Sequence, residues 1–149
     1  MARRSAVTAR AIAETLGGPR ALRGSVGTFD DLRRRVEEGL RYESLDALSS
    51  NLEIGLAAMR AILRLPERTL ARRKNERRLR PDESDRLMRI GRVATLAEVT
   101  LGSREKAASW LKKKNRALGD RAPLDRLDTD LGSREVEDLL LRIAHGVYS

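Results

Sequence analysis

Apolar residues in this chain recur at spacings of three and four and never alternate over a strand-length run. "FDDLRRRVEEGL" places Phe29, Leu32, Val36 and Leu40 on one face of a helix. "SLDALSSNL" does the same with Leu45, Leu48 and Leu52 behind Ser44 as N-cap. The run from Pro81 to Gly102 carries Leu87, Ile90, Ala94, Ala97 and Leu101 as a stripe, with Asp82, Glu83 and Asp85 as favourable charges at its start. "SREVEDLLLRIAHG" sets Val136, Leu139, Leu140 and Ile143 on the inner face of a last helix that starts at Ser133 and stops at Gly146. With helical period throughout, the predicted fold class is all-α. Only four aromatic residues occur, Phe29, Tyr42, Trp110 and Tyr148, so the core must be built from Leu, Ile, Val and Ala. Trp110, flanked by Ala107, Ala108 and Leu111, reads as part of it.

Punctuation divides the chain. Residues 1–27, rich in arginine and glycine, read as a mobile basic arm with one helical stretch near Ala9 to Leu16. Residues 28–80 contain two short helices, Leu56 to about Leu63 and about Glu67 to Arg77, joined by a tight turn at Arg64 and Leu65. Pro66 forces Leu65 to be extended and suits the first turn of the second helix. Two short helices, the second rich in arginine, outline a helix-turn-helix domain for DNA binding and dimerisation. Residues 81–149 form a second helical region. The string "LGSRE" at 101–105 and 131–135 reads both times as punctuation, glycine ending one element and serine capping the next.

Charge separates the function classes. The net charge is +9, and nine basic residues between Arg60 and Arg80 against two acids leave +7 in that stretch. So local an excess points to a polyanion, above all nucleic acid. There is no cysteine and one histidine, His145, so thiolate chemistry is excluded and a transition-metal site is not expected. No run approaches the roughly 18 apolar residues of a membrane helix, and "MARRSAVTARAIAETLGG" lacks an apolar signal core. The expectation is a cytoplasmic protein without a membrane association. His145 has no nucleophile or carboxylate partner at a recognisable spacing. We therefore expect no enzyme, no cofactor, no metal and no small-molecule substrate.

Arg68, Thr69, Arg72 and Arg73 stand at the start of the second short helix, where recognition helices reach base edges. Lys74, Arg77 and Arg78 suit phosphate contacts that any sequence offers.

The stretches "LPERTLARRK" and "RLRPDESDRLMRI", then Trp110-Leu111, Asn115, Ala117-Leu118-Gly119, Pro123-Leu124, Gly132 and His145-Gly146, carry a resemblance. Over about residues 45–149 the chain resembles the Xre-type antitoxins of RES–Xre toxin–antitoxin modules. The resemblance implies that the region after the helix-turn-helix binds a toxin. The implied partner is a RES-domain enzyme that degrades NAD⁺; the antitoxin would neutralise it, and the complex would repress its own operon. Binding to operator duplex is expected from a homodimer, since two recognition helices must fit successive major grooves. The chain departs from a standard helix-turn-helix at two positions. Arg60 stands where a small residue is usual, and Arg64 where the turn glycine is usual. An arginine in a left-handed turn carries a penalty of about 1 kcal/mol.

The tail completes the expected toxin-binding set: Arg142, His145, Gly146, Val147, Tyr148 and Ser149. Gly146 turns the chain off the helix axis, and Tyr148 is of the type enriched at interfaces. The tail is expected to cover the toxin's NAD⁺ site. Two other classes fit parts of the sequence: a stand-alone helix-turn-helix regulator with a different partner, and an RNA-binding structural protein that uses only its charge.

Overall fold

The computed structural model of the protein describes residues 7–146. Among them there are nine α-helices, two 3₁₀ turns and no strand. The helices are α1 (Ala9–Thr15), α2 (Gly18–Leu22), α3 (Phe29–Glu38), α4 (Tyr42–Leu52), α5 (Leu56–Leu63), α6 (Glu67–Glu76), α7 (Pro81–Leu101), α8 (Arg104–Lys112) and α9 (Asp130–Ala144). The 3₁₀ turns are η1 (Arg116–Leu118) and η2 (Pro123–Arg126), between α8 and α9.

Side-chain caps start four of the helices. Thr8 Oγ1 accepts from the Ala11 N–H (3.0 Å), Ser103 Oγ from Lys106 (3.1 Å) and Thr129 Oγ1 from Gly132 (3.0 Å). At α3 the cap is reciprocal. Thr28 Oγ1 accepts from the Asp31 N–H, and the Asp31 carboxylate accepts from the N–H groups of Thr28 and Gly27. Those backbone donors hold the Asp31 carboxyl down at about 2.

The expected apolar face of α3 is realised only in part. Leu32 is buried and Val36 half-buried, but Phe29 remains 58% exposed, in a first turn held by its capping box. Leu40 reaches the core from beyond the helix end. Gly39 breaks α3 at φ +91°, where an added Cβ would stand 2.3 Å from the Leu79 carbonyl. The 39–42 link then runs antiparallel to residues 77–79. The Leu79 N–H donates to the Leu40 carbonyl (2.8 Å) and the Tyr42 N–H to that of Arg77 (3.2 Å). This pairing sets the start of α4 at Tyr42. Ser44, expected as its N-cap, is therefore fully buried inside the helix.

Helix α7 is the axis of the molecule and packs against α1, α3, α4, α5, α8 and α9. Leu87, Ile90, Ala94 and Ala97 of the expected stripe are buried, but so are Met88, Gly91, Val93 and Thr95 on other sides. A helix enclosed on several faces cannot stay amphipathic.

The N-terminal segment corrects the sequence reading. Residues 7–27 are not an arm. Ile12, Leu16, Ala21, Leu22 and Val26 are buried, most of them in the same core cluster as Leu87 and Leu140. Leu16 lies on Gly91 of α7, whose missing side chain gives it room. The Thr95 hydroxyl donates to Thr15 Oγ1 (2.7 Å), and the Asn51 amide donates to the Thr15 carbonyl (2.7 Å). Glycine and arginine content suggested a solvated segment. The few apolar residues between them sit at helical spacing, and two short helices suffice to bury them.

The second "LGSRE" is also corrected. Gly102 and Ser103 do end α7 and cap α8. Gly132 and Ser133, by contrast, lie in the first turn of α9, capped by Thr129. Gly132 is required by packing: an added Cβ would stand 1.9 Å from the Arg126 carbonyl oxygen. Through that approach α9 rests on η2, where Pro123, Leu124 and Leu127 are buried.

Candidate functional sites

The turn between α5 and α6 has the geometry of a helix-turn-helix, despite its residues. Arg64 stands at φ +56°, ψ +42°, in the left-handed region usually given to glycine. Leu65 is buried and extended, and Pro66 (φ −60°, ψ 148°) occupies the N-cap of α6. Arg60, at the usual small-residue position, is half-buried along a groove lined by Tyr42, Leu56, Glu67, Leu70 and Lys74. A guanidinium on a flexible stem can lie along such a surface while its head stays solvated. From α7, Arg86 Nη1 donates to the Leu63 carbonyl at the end of α5 (2.6 Å), fixing the strained turn.

Leu70 is the buried apolar anchor of α6. Arg68, Arg72, Lys74, Arg77 and Arg78 are exposed and Thr69 is half-buried. Arg73 is not part of this face. It is 4% exposed and meets Glu83 of α7 with two hydrogen bonds, Nε to Oε1 at 2.7 Å and Nη2 to Oε2 at 3.1 Å. The expectation that Arg73 touches DNA is therefore overturned. It lies one turn after Leu70 on the inner face of α6, a periodicity that was legible in the sequence. Burial pushes the Glu83 carboxyl up, but the Arg73 guanidinium and the Arg80 N–H outweigh it and hold it below its ordinary value. The same contact raises Arg73. Glu83 also accepts from the Arg80 N–H at the start of α7, so one carboxylate caps α7 and locks α6 to it.

At the other end, Val136 and Leu140 bury α9 against α7, and Arg92 pairs with Glu137 across that contact at 3.2 Å. The opposite side of α9 is open. Leu131 is 76% and Leu141 44% exposed. Asp138, Leu141, Arg142 and His145 line one shallow depression there, which brings Arg142 and His145 together. The sequence reading missed Leu131 and Leu141, although both fall outside the stripe of Val136, Leu139, Leu140 and Ile143. Gly146 ends the helix at φ +70°. Val147, Tyr148 and Ser149 lie outside the described residues. Trp110 is partly buried against the core.

A basic helix-turn-helix locked by α7 to a bundle with one open apolar helix face matches two family models. Residues 31–92 match the antitoxin Xre-like helix-turn-helix domain, and residues 95–146 match the antitoxin Xre/MbcA/ParS C-terminal toxin-binding domain. An Antitoxin Xre of Yersinia enterocolitica is 33% identical over 146 residues, covering 97% of this chain and 95% of the relative. The chain belongs to the Xre antitoxin family. An Antitoxin Xre of Photorhabdus laumondii is 33% identical over 116 residues, 76% of this chain and 78% of the relative. One of Pseudomonas putida is 39% identical over 83 residues, 55% of this chain and 52% of the relative. The two matched spans meet inside α7, which is thus common to both halves. Among the described residues no helix is long and apolar enough to cross a membrane.

Proposed function

We propose that this antitoxin neutralises a RES-domain, NAD⁺-degrading toxin in the cytoplasm and, as a homodimer, binds operator duplex to repress its own operon. The observation that carries this reading is the adjacency of the two family matches on a shared helix, together with the residues that made the chain resemble RES–Xre modules. On the DNA side, Arg68, Thr69 and Arg72 read bases, while Lys74, Arg77 and Arg78 hold phosphates. Two copies are needed because recognition helices must enter successive major grooves about 34 Å apart. On the toxin side, the open face of α9 with Leu131, Leu141, Arg142 and His145 is the docking surface. Gly146 directs Val147, Tyr148 and Ser149 toward the toxin's nucleotide site.

The test is co-expression with the product of the neighbouring gene, followed by pull-down and an NAD⁺ assay. A complex that spares NAD⁺ is the expected result. Operator binding with no captured partner and no effect on NAD⁺ would instead identify a stand-alone regulator.

A further inference from the structure

A hollow of about 170 Å³ opens where the end of α2, the last turn of α3, the 39–42 link and the segment after α6 meet. Arg23, Arg35, Arg41 and Arg78 line it against one acid, Glu38. Their partners leave the charge standing. Arg35 Nη1 donates to the carbonyls of Leu22 and Arg23, and Arg78 Nη1 to that of Glu38 (3.1 Å). Carbonyl oxygens orient a guanidinium without neutralising it. Arg41 has an acid partner, the exposed Glu43 at 3.6 Å. Among the described residues no carboxylate lies within 4.0 Å of a guanidinium nitrogen of Arg23, Arg35 or Arg78. Arg41 Nε is buried and, among the same residues, has no hydrogen-bond acceptor. A buried donor without a partner is costly, so this arginine is held in place at the expense of one of its hydrogen bonds. Arg23 is held at φ +56°, a conformation that an ordinary surface arginine rarely adopts.

We propose that this hollow binds a phosphate group. Its volume far exceeds the roughly 10–15 Å³ that one water needs, so a tetrahedral oxyanion fits. Several converging guanidinium forks match an anion with three or four acceptor oxygens better than they match a single carboxylate. The phosphate comes either from nucleic-acid backbone beside the operator site or from a free nucleotide or phosphate. The site stands apart from the base-reading surface of α6. It uses none of Arg68, Thr69, Arg72 or Lys74; Arg23, Arg35 and Arg41 precede α5, and Arg78 is the one residue it shares with the proposed phosphate contacts of the operator.

The test uses the full chain with pyrophosphate as probe, titrated at constant ionic strength and followed by the NMR signals of the arginine Nε–H groups. Saturable shifts at Arg35 and Arg41 are expected for a free phosphate ligand. Arg23→Gln, an exposed change with no new backbone strain, should weaken them about tenfold, as expected when one charge-assisted hydrogen bond is removed. Arg41→Lys keeps the charge but not the fork, and should weaken them similarly without unfolding the chain. If the phosphate belongs to DNA, pyrophosphate gives no saturable shift. Instead, Arg23→Gln lowers the slope of log K against log salt by about one on operator duplex, leaving the preference for operator over random duplex intact. No saturable shift together with an unchanged salt slope would overturn the proposal. That result would leave the α6 assignment untouched, since Arg68 and Arg72 are tested by sequence preference.

Discussion

Arginines of α6 that look equivalent in the sequence have opposite surroundings. Arg68 and Arg72 are exposed and, among the described residues, form no ion pair within 4.0 Å, so on the proposed function their removal affects DNA alone. Arg68→Ala with Arg72→Ala should lower operator affinity by roughly 1–3 kcal/mol for each base no longer read, with toxin neutralisation intact. An unchanged gel shift on operator DNA would remove the assignment. Arg73 is bound to Glu83, and Arg73→Ala leaves that carboxylate buried and unpaired. We expect a destabilisation of about 3–5 kcal/mol in chemical denaturation, most of it recovered when Glu83 is also replaced by leucine. The pair also sets a pH dependence. The Glu83 carboxyl is lower in the folded state than its ordinary 4.5, so its contribution is complete above that value. It is lost as pH falls through the depressed folded value. Denaturation curves between pH 6 and 3 should therefore show an acid-side loss that Glu83→Gln lacks.

At the level of elements, the packing of η2 on α9 is the least tolerant. Alanine in place of glycine inside a helix ordinarily gains close to 1 kcal/mol. At Gly132 the new methyl meets the Arg126 carbonyl, so the sign reverses. Gly132→Ala should cost about 1–3 kcal/mol in thermal unfolding and misplace the open face of α9. A neutral or stabilising result would mean that η2 moves aside freely. The segment after α9 is tested separately. On the proposed function, deleting Val147 to Ser149 leaves the fold and DNA binding unchanged but releases toxin activity, read as NAD⁺ loss. If the truncated chain still protects NAD⁺, inhibition comes from α9 itself.

For the whole molecule, one core cluster runs from Ala9 in α1 to Leu140 in α9, and α7 passes through its length. The N-terminal helices are part of that core. Ile12 and Leu16 are almost completely buried, so a chain lacking residues 1–22 is deprived of two large apolar side chains together with Leu22. A core leucine cut to alanine alone costs about 2–5 kcal/mol. The truncated chain should therefore lose its cooperative thermal transition, observed by circular dichroism. A free arm would leave that transition unchanged. The same continuity explains why the helix-turn-helix and the C-terminal domain need no separate cores. Arg73–Glu83 and Arg86–Leu63 tie the helix-turn-helix to α7, and Arg92–Glu137 ties α9 to it.

Periodicity and local chemistry determined much of this protein without any tertiary knowledge. Helical spacing gave the all-α class and the bounds of α5, α6 and α7. Leu65 before Pro66 gave the turn, the excess of arginine located the basic face, and Ser103 and Gly146 marked helix ends. These are short-range effects, set by a residue and its neighbours within a turn or two. Only the tertiary structure decided whether a given polar or small residue faces water. The spacing from Leu70 puts Arg73 on the inner face, but its charge can stay there only because Glu83, ten residues later, is brought against it by the next helix. Ser44 lies within α4 because residues 77–79 pair with the link before it. Position 132 must be glycine because the Arg126 carbonyl is packed where a Cβ would stand. The N-terminal helices are core because Gly91 of α7 leaves room for Leu16. Each of these depends on a partner brought close by packing, and a local pattern carries no record of such a partner.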